Sequence, residues 1–105
     1  MTEIRLTHHE GKTELTIMGH CNAGRINGFD LCCCAVSMLT HTLLKSLRDI
    51  NLKDFEGRYG GGWCYIRFSD TSKKKQKAYI IIETIMKGFS MLEESYPANV
   101  KIFKQ

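Results

Sequence analysis

The residues best suited to chemistry in this chain lie in one stretch, Gly19 to Ser37, which reads GHCNAGRINGFDLCCCAVS. His20 precedes a loop rich in Gly and Asn, and Asp30 then leads into Cys32, Cys33 and Cys34. Loops of that composition fold back readily, so the imidazole can approach a thiol at the start of the following helix. An imidazole that takes the proton of a thiol gives a nucleophile with its base, the minimum needed to attack a carbonyl carbon covalently.

That chemistry needs elements to hold the two groups, and periodicity supplies them. Ile4 and Leu6 alternate with Arg5 and Thr7, and Leu15 and Ile17 with Glu14 and Thr16, the period-two pattern of half-buried strands. Glu10-Gly11-Lys12 makes the turn of an opening hairpin. His8 and His9, as neighbours on a strand, point to opposite faces and read as surface residues rather than a metal pair. From Asp30 the pattern changes: Cys32, Val36, Leu39, Leu43, Leu47 and Ile50 recur at three and four residues, the apolar stripe of a helix. Asp30 is placed as its N-cap.

Successive residues differ by about 100° around a helix, so the three adjacent thiols meet three environments. Cys32 falls on the apolar stripe and reads as a small buried hydrophobe. Cys33 lies at the stripe's edge, and Cys34 points farther round with Met38. The first turn favours thiolate through its unpaired N–H groups and dipole, whereas the Asp30 charge opposes it; the net direction is open at this level.

Downstream, Asn51 to Gly62 reads as a polar loop with room for one short strand, ending in three glycines taken as a connection. Trp63 to Phe68, WCYIRF, is aromatic and β-branched and predicts a strand with Cys64 packed. A second helix is expected from about Lys75 to Tyr96, its apolar side formed by Ala78, Ile81, Ile82, Ile85, Phe89 and Leu92. Pro97 stops it, and Val100 and Ile102 open a last strand. The expected architecture is α+β: a mostly antiparallel sheet of four to five strands, two helices on one face, and a single domain over 1–105.

Composition narrows the function classes. The 105 residues are 43% hydrophobic and 25% charged, ordinary values for one folded domain and for neither a fibrous nor a disordered chain. The N-terminus shows no basic-then-apolar leader, and no apolar run approaches the roughly 18 residues of a membrane span, so the expectation is a cytoplasmic protein without a membrane partner. Five cysteines, three adjacent, make a poor disulfide framework and predict free thiols. The net charge is +4, and five of the fifteen basic residues lie between Lys73 and Lys87; with no aromatic residue among the lysines of SKKKQK, a solvated helix start is favoured over a nucleic-acid platform. A zinc module built from His20, Cys21 and the cysteine run is disfavoured, because adjacent helical residues diverge and no paired C-x-x-C occurs. No metal or other cofactor is expected.

The ordered set Gly19, His20, Gly28, Asp30, Cys33, Val36 and Ser37 resembles the ribosomal-processing cysteine protease family (Prp). The similarity continues through Gly61-Gly62, the strand Trp63 to Phe68, and ETIMKGFSMLEESYP with its following strand, nearly the whole chain. The resemblance implies a homodimer that uses a Cys/His dyad to remove the N-terminal extension of a large-subunit ribosomal protein in bacteria of the Firmicutes type. It makes His20 the base and Cys33 the nucleophile, three residues after Asp30 and four before Ser37. Asp30, Ser37, Gly28 and Cys34 are supporting positions, Asp30 more as cap than as orienter of His20. Backbone N–H groups near Cys33 and Cys34 are the expected oxyanion donors. The family cuts after an aromatic residue, which a pocket including Trp63 or Tyr65 would suit.

This chain departs from the family pattern in two places. Its loop from His20 to Asp30 is one residue longer, and Cys34 replaces a smaller residue beside the nucleophile. Cys21, Cys32, Cys34 and Cys64 read as structural, and His41 as unassigned surface. Two alternatives remain: a non-catalytic ribosome- or RNA-associated module of the same fold, and a protease acting on a phage scaffold protein.

Overall fold

The structure is a computed structural model and describes residues 1–104; Gln105, the last residue of the expected 1–105 domain, lies outside the described residues. The opening hairpin forms as β1 (Thr2–His9) and β2 (Lys12–Met18), joined by Glu10 and Gly11, both at positive φ. Helix α1 spans Leu31–Asp49, β3 Glu56–Gly60, β4 Trp63–Ser69, α2 Lys75–Ser95 and β5 Val100–Lys104. The sheet order is β3-β4-β2-β1-β5, antiparallel except where β5 lies parallel to β1. That parallel pair follows from connectivity, because α2 carries the chain from β4 past two strands to the opposite edge, and parallel neighbours need such a crossover. The α+β architecture expected from the sequence is the one found, with five strands rather than four.

Pleating decides which residues the helices cover. In register, Ile4 faces Ile17, Leu6 faces Leu15, Leu15 faces Ile66 and Ile17 faces Cys64, so one side of the sheet is continuously apolar. Ile4, Leu15, Ile66, Phe68 and Val100 on that side are fully buried, together with Leu43 and Leu47 of α1 and Ala78, Ile82 and Phe89 of α2. The two helices meet where Gly88 admits the Leu39 side chain; a Cβ at Gly88 would stand 2.8 Å from Leu39 Cδ2. Both apolar stripes match the sequence reading, with Thr40, Leu44 and Met86 added to the buried set and Leu39, Ile50, Ile81 and Leu92 only half-buried.

The two ends of the sheet differ. At the end holding the β1–β2 turn, Asp70 accepts hydrogen bonds from the hydroxyls of Thr13 and Tyr79, and Thr13 Oγ1 lies 3.0 Å from His8 Nδ1. His8 thus reaches a buried network by its ring edge rather than standing free. The lysine cluster sits beside this end, with Lys73, Lys74 and Lys77 exposed as a solvated helix start. Among the described residues, no helix is long and apolar enough to cross a membrane. The stretch Gly19 to Ser37 occupies the other end.

Candidate active site

Three structural devices bring His20 and Cys33 to one place. The first is the cap: Asp30 holds extended backbone (φ −88°, ψ 99°), and its Oδ1 accepts from the Cys33 N–H at 3.0 Å. Its other oxygen, Oδ2, accepts from the Ala23 N–H at 3.3 Å. One carboxylate therefore both starts α1 and clamps the incoming loop against its first turn. Asp30 acts here as a cap, the role the sequence favoured.

The second device is a turn inside the loop. Ile26 and Phe29 exchange backbone hydrogen bonds of 2.8 and 3.0 Å, and Asn27 and Gly28 between them have φ of 52° and 85°. Two successive positive φ values define the tight turn that Asn-Gly prefers. Arg25 closes it by donating to the Gly28 carbonyl at 2.8 Å. The connection expected to be flexible is a miniature hairpin, and the Asn27-Gly28 pair was its signal.

The third device is glycine at close approaches. The Gly19 N–H donates to the Gly62 carbonyl at 2.7 Å, tying the end of β2 to the β3–β4 turn. Gly62 has φ +78°, and a Cβ there would lie 2.7 Å from His20 Nε2. The imidazole thus rests on bare Gly62 backbone. The glycine run is a connection, as read, and also the seat of the histidine, which no local pattern announces.

His20 and Cys33 line one cavity of about 120 Å³ with Gly19, Gly62, Trp63 and Ser37 among its walls. An open groove of about 480 Å³ continues past Cys33 over Gly28, Asp30, Cys34 and Met38. Cys33, Ser37 and His41 belong to both spaces. Their spacing of four residues sets them along one face of α1, and that spacing was the overlooked signal for His41. His41 is exposed, as expected, and also stands at the cleft, its ring edge-on to Tyr59 with centroids 4.9 Å apart. Tyr59 lies on β3, a strand the sequence left indistinct. Trp63 lines the cavity, whereas Tyr65 turns to the uncovered sheet face and donates to Glu14, so only Trp63 fits the expected aromatic-binding pocket.

The thiols separate as helix phase requires: Cys32 buried, Cys33 half-buried, Cys34 exposed. Burial pushes the Cys33 thiol above its ordinary value of 9.0; the nearby Cys21, Asp30 and Cys34 add to the rise, and the Cys21 backbone opposes it. Burial and the neighbouring charges thus act against thiolate at Cys33. Cys32 is pushed up to about 12 by burial and by contact with the Cys21 thiol, and Cys64 up to about 11 by burial, which suits packed, unreactive sulfur. The expected oxyanion donors need correction. The Cys33 N–H is held by Asp30 Oδ1 and the Cys34 N–H by the Asp30 carbonyl at 3.0 Å, so the cap has consumed both.

Among the described residues no group of three or more His, Cys, Asp or Glu side chains is arranged to hold a metal ion. The cleft combines a thiol, an imidazole and bare glycine backbone, a set suited to nucleophilic attack on a carbonyl.

Comparison with known proteins agrees. The structure is similar to the ribosomal processing protease Prp of S. aureus in complex with a covalently linked product peptide, at TM-score 0.81 and 23% identity over all of both chains. The same S. aureus protease with a substrate peptide gives TM-score 0.77 and 20% identity, again over both full chains. A Streptococcus mutans protein gives 0.66 and 25%, covering all of this chain and 96% of the other. Comparison with curated proteins gives no match. The sequence model of the cysteine protease Prp matches residues 1–101, so the chain belongs to the Prp family of cysteine proteases.

Proposed function

We propose that residues 1–105 act as one cysteine endopeptidase domain that removes the N-terminal extension of a large-subunit ribosomal protein, with Cys33 as nucleophile and His20 as base. The observation that carries this reading is the shared cavity of His20 and Cys33 in a chain of the Prp family. The ribosomal substrate is supported by the S. aureus ribosomal processing protease, whose fold this chain shares. A homodimer working in the cytoplasm belongs to the same proposal.

The chemistry follows from the groups present. His20 takes the Cys33 proton as the sulfur attacks the scissile carbonyl; burial, which raises the thiol, makes that base necessary. His20 then returns the proton to the departing amine, and water attacks the thioester to free the enzyme. Asp30 fixes where the sulfur stands, through the Cys33 N–H, and where the loop stands, through the Ala23 N–H.

Incubation with the N-terminal region of the organism's own ribosomal protein tests the reading, with Cys33→Ala, Cys34→Ala and His20→Ala in parallel. Cleavage lost in Cys33→Ala and kept in Cys34→Ala supports it. Full cleavage by Cys33→Ala refutes it, and a salt-sensitive RNA complex without cleavage favours the non-catalytic alternative. A phage scaffold peptide cut in preference to the ribosomal one would move the substrate and leave the chemistry intact.

A further inference from the structure

A base of this kind is commonly oriented by a third group, yet here the carboxylate in reach of that role is spent. Asp30 gives both oxygens to the Cys33 and Ala23 N–H groups. The His20 residue is exposed and its ring rests on bare Gly62 backbone, so the imidazole stands where its own backbone puts it. That backbone is anchored on both sides. Before His20, the Gly19 carbonyl accepts from Thr2 Oγ1 at 3.3 Å, and the Gly19 N–H donates to the Gly62 carbonyl. After it, Asn99 Nδ2 donates to the Cys21 carbonyl at 2.9 Å and to the Asn22 carbonyl at 3.3 Å.

The anchors are themselves fixed. Asn99 lies in the turn between α2 and β5, where its N–H donates to the Tyr96 carbonyl at 2.9 Å and its carbonyl accepts from the Thr2 N–H at 2.8 Å. Its amide has two N–H groups to give, and two successive carbonyls after the base receive them. Thr2 is 1% exposed, lines the cavity of His20 and Cys33, and sets its hydroxyl 3.3 Å from the buried Cys21 sulfur. The parallel register pairs Thr2 with Val100, the residue after Asn99, which is how a turn near the end of the chain arrives beside the start of β1.

We infer that Asn99, assisted by Thr2, is a positioning residue for the base: its amide pins the chain beyond His20 to the α2–β5 turn and so keeps the imidazole over Gly62, in the cavity it shares with Cys33. The inference rests on the assignment of His20 as base. Asn99 lines neither the cavity nor the groove beyond it, so it acts on proton transfer through His20 and not on peptide binding. Loss of the amide lets the exposed ring drift from the thiol, and a displacement of about 1 Å in a reacting group costs on the order of 10²-fold in rate.

The test compares Asn99→Ala and Asn99→Leu, which remove the amide donors with and without loss of volume, with Thr2→Val, which removes the hydroxyl, and with Asp70→Asn as a destabilised control at the other end of the sheet. Each is assayed at a temperature where thermal melting shows it folded. Both Asn99 variants are expected to lower kcat by about 10- to 100-fold with KM unchanged, Thr2→Val to lower kcat less, and Asp70→Asn to leave it unaltered. With isotope-labelled histidine, the His20 Cε1–H resonance, identified by its loss in His20→Ala, is expected to shift or broaden in the Asn99 variants while that of His8 stays in place. Unchanged kcat in both Asn99 variants overturns the inference, as does a rise in KM alone or an unmoved His20 resonance. The resonance needs no substrate, so failure to cleave the ribosomal peptide, or full cleavage by His20→Ala, would count against the protease reading while the resonance decides whether Asn99 positions His20.

Discussion

The two ends of the β-sheet use similar side chains to opposite purposes. At the β1–β2 turn, Asp70, Thr13, Tyr79 and His8 satisfy one another: Asp70 accepts hydrogen bonds from two hydroxyls, and the Thr13 oxygen turns towards His8. At the other end, Asp30 spends both carboxylate oxygens on backbone N–H groups, and the histidine and thiol beside it face a cavity. The comparison teaches that an open space does not by itself mark a site: a groove of about 560 Å³ also borders His8, Asp70 and Tyr79, but there the polar groups partner one another, whereas Asp30 serves the backbone and leaves the His20 and Cys33 side chains facing the cleft.

The sharpest test of that contrast is activity. Cys33→Ala is expected to abolish peptide cleavage and His20→Ala to lower kcat/KM by about 10²- to 10⁴-fold, whereas Asp70→Asn leaves kcat unchanged in the same assay. Loss of turnover in Asp70→Asn at a temperature where it is fully folded would break the separation of the two ends.

A smaller effect is expected at Gly62, where the cleft depends on a missing side chain. Gly62→Ala sets a Cβ 2.7 Å from His20 Nε2 on backbone at φ +78°. The displaced imidazole should lower kcat/KM by about 10- to 100-fold, and the strained conformation should cost about 1–2 kcal/mol. Steady-state kinetics and thermal melting measure the two, and unchanged kinetics would show that the seat of His20 is unimportant.

At the β1–β2 end the readout is stability against pH. Burial alone would raise the Asp70 carboxyl, but the hydrogen bonds from Thr13 and Tyr79 and the nearby His8 and Lys75 together hold it below 3.8. A depressed carboxylate stabilises the fold fully above its unfolded value, and that contribution fades as pH falls through the lower folded value. Asp70→Asn is therefore expected to lose about 1–2 kcal/mol at neutral pH, with the two denaturation curves converging in acid. A gap that persists in strong acid would refute the ionised network.

The smallest effect is in labelling. Cys33 alkylation should still be accelerating at pH 9, because burial first, then Cys21, Asp30 and Cys34, raises its thiol. At neutral pH exposed Cys34 should label before half-buried Cys33. A Cys33 rate that levels off near neutrality would mean that His20 ionises it in the free enzyme.

Much of this was legible in the chain itself. The hairpin, both helices, the Asp30 cap and the three fates of Cys32, Cys33 and Cys34 are set by contacts within a few residues, so period-two and three-to-four spacing reveal them. The Asn27-Gly28 turn was equally local and equally legible; it was obscured by reading Gly and Asn as flexibility.

What only the tertiary structure decided are the meetings of distant segments. Nothing near His20 announces that Gly62, more than forty positions on, will carry its ring, and nothing near Cys21 announces that Asn99 will donate to its carbonyl. Tyr59 beside His41 and the loss of the Cys33 and Cys34 N–H groups to Asp30 belong to the same class. The direction of the Cys33 shift does too, because desolvation sums over every segment packed around the sulfur. Local spacing placed the thiol and the imidazole on their elements; the register of β2 against β4 set the imidazole on Gly62, and the Asp30 clamp drew its loop against the thiol's helix.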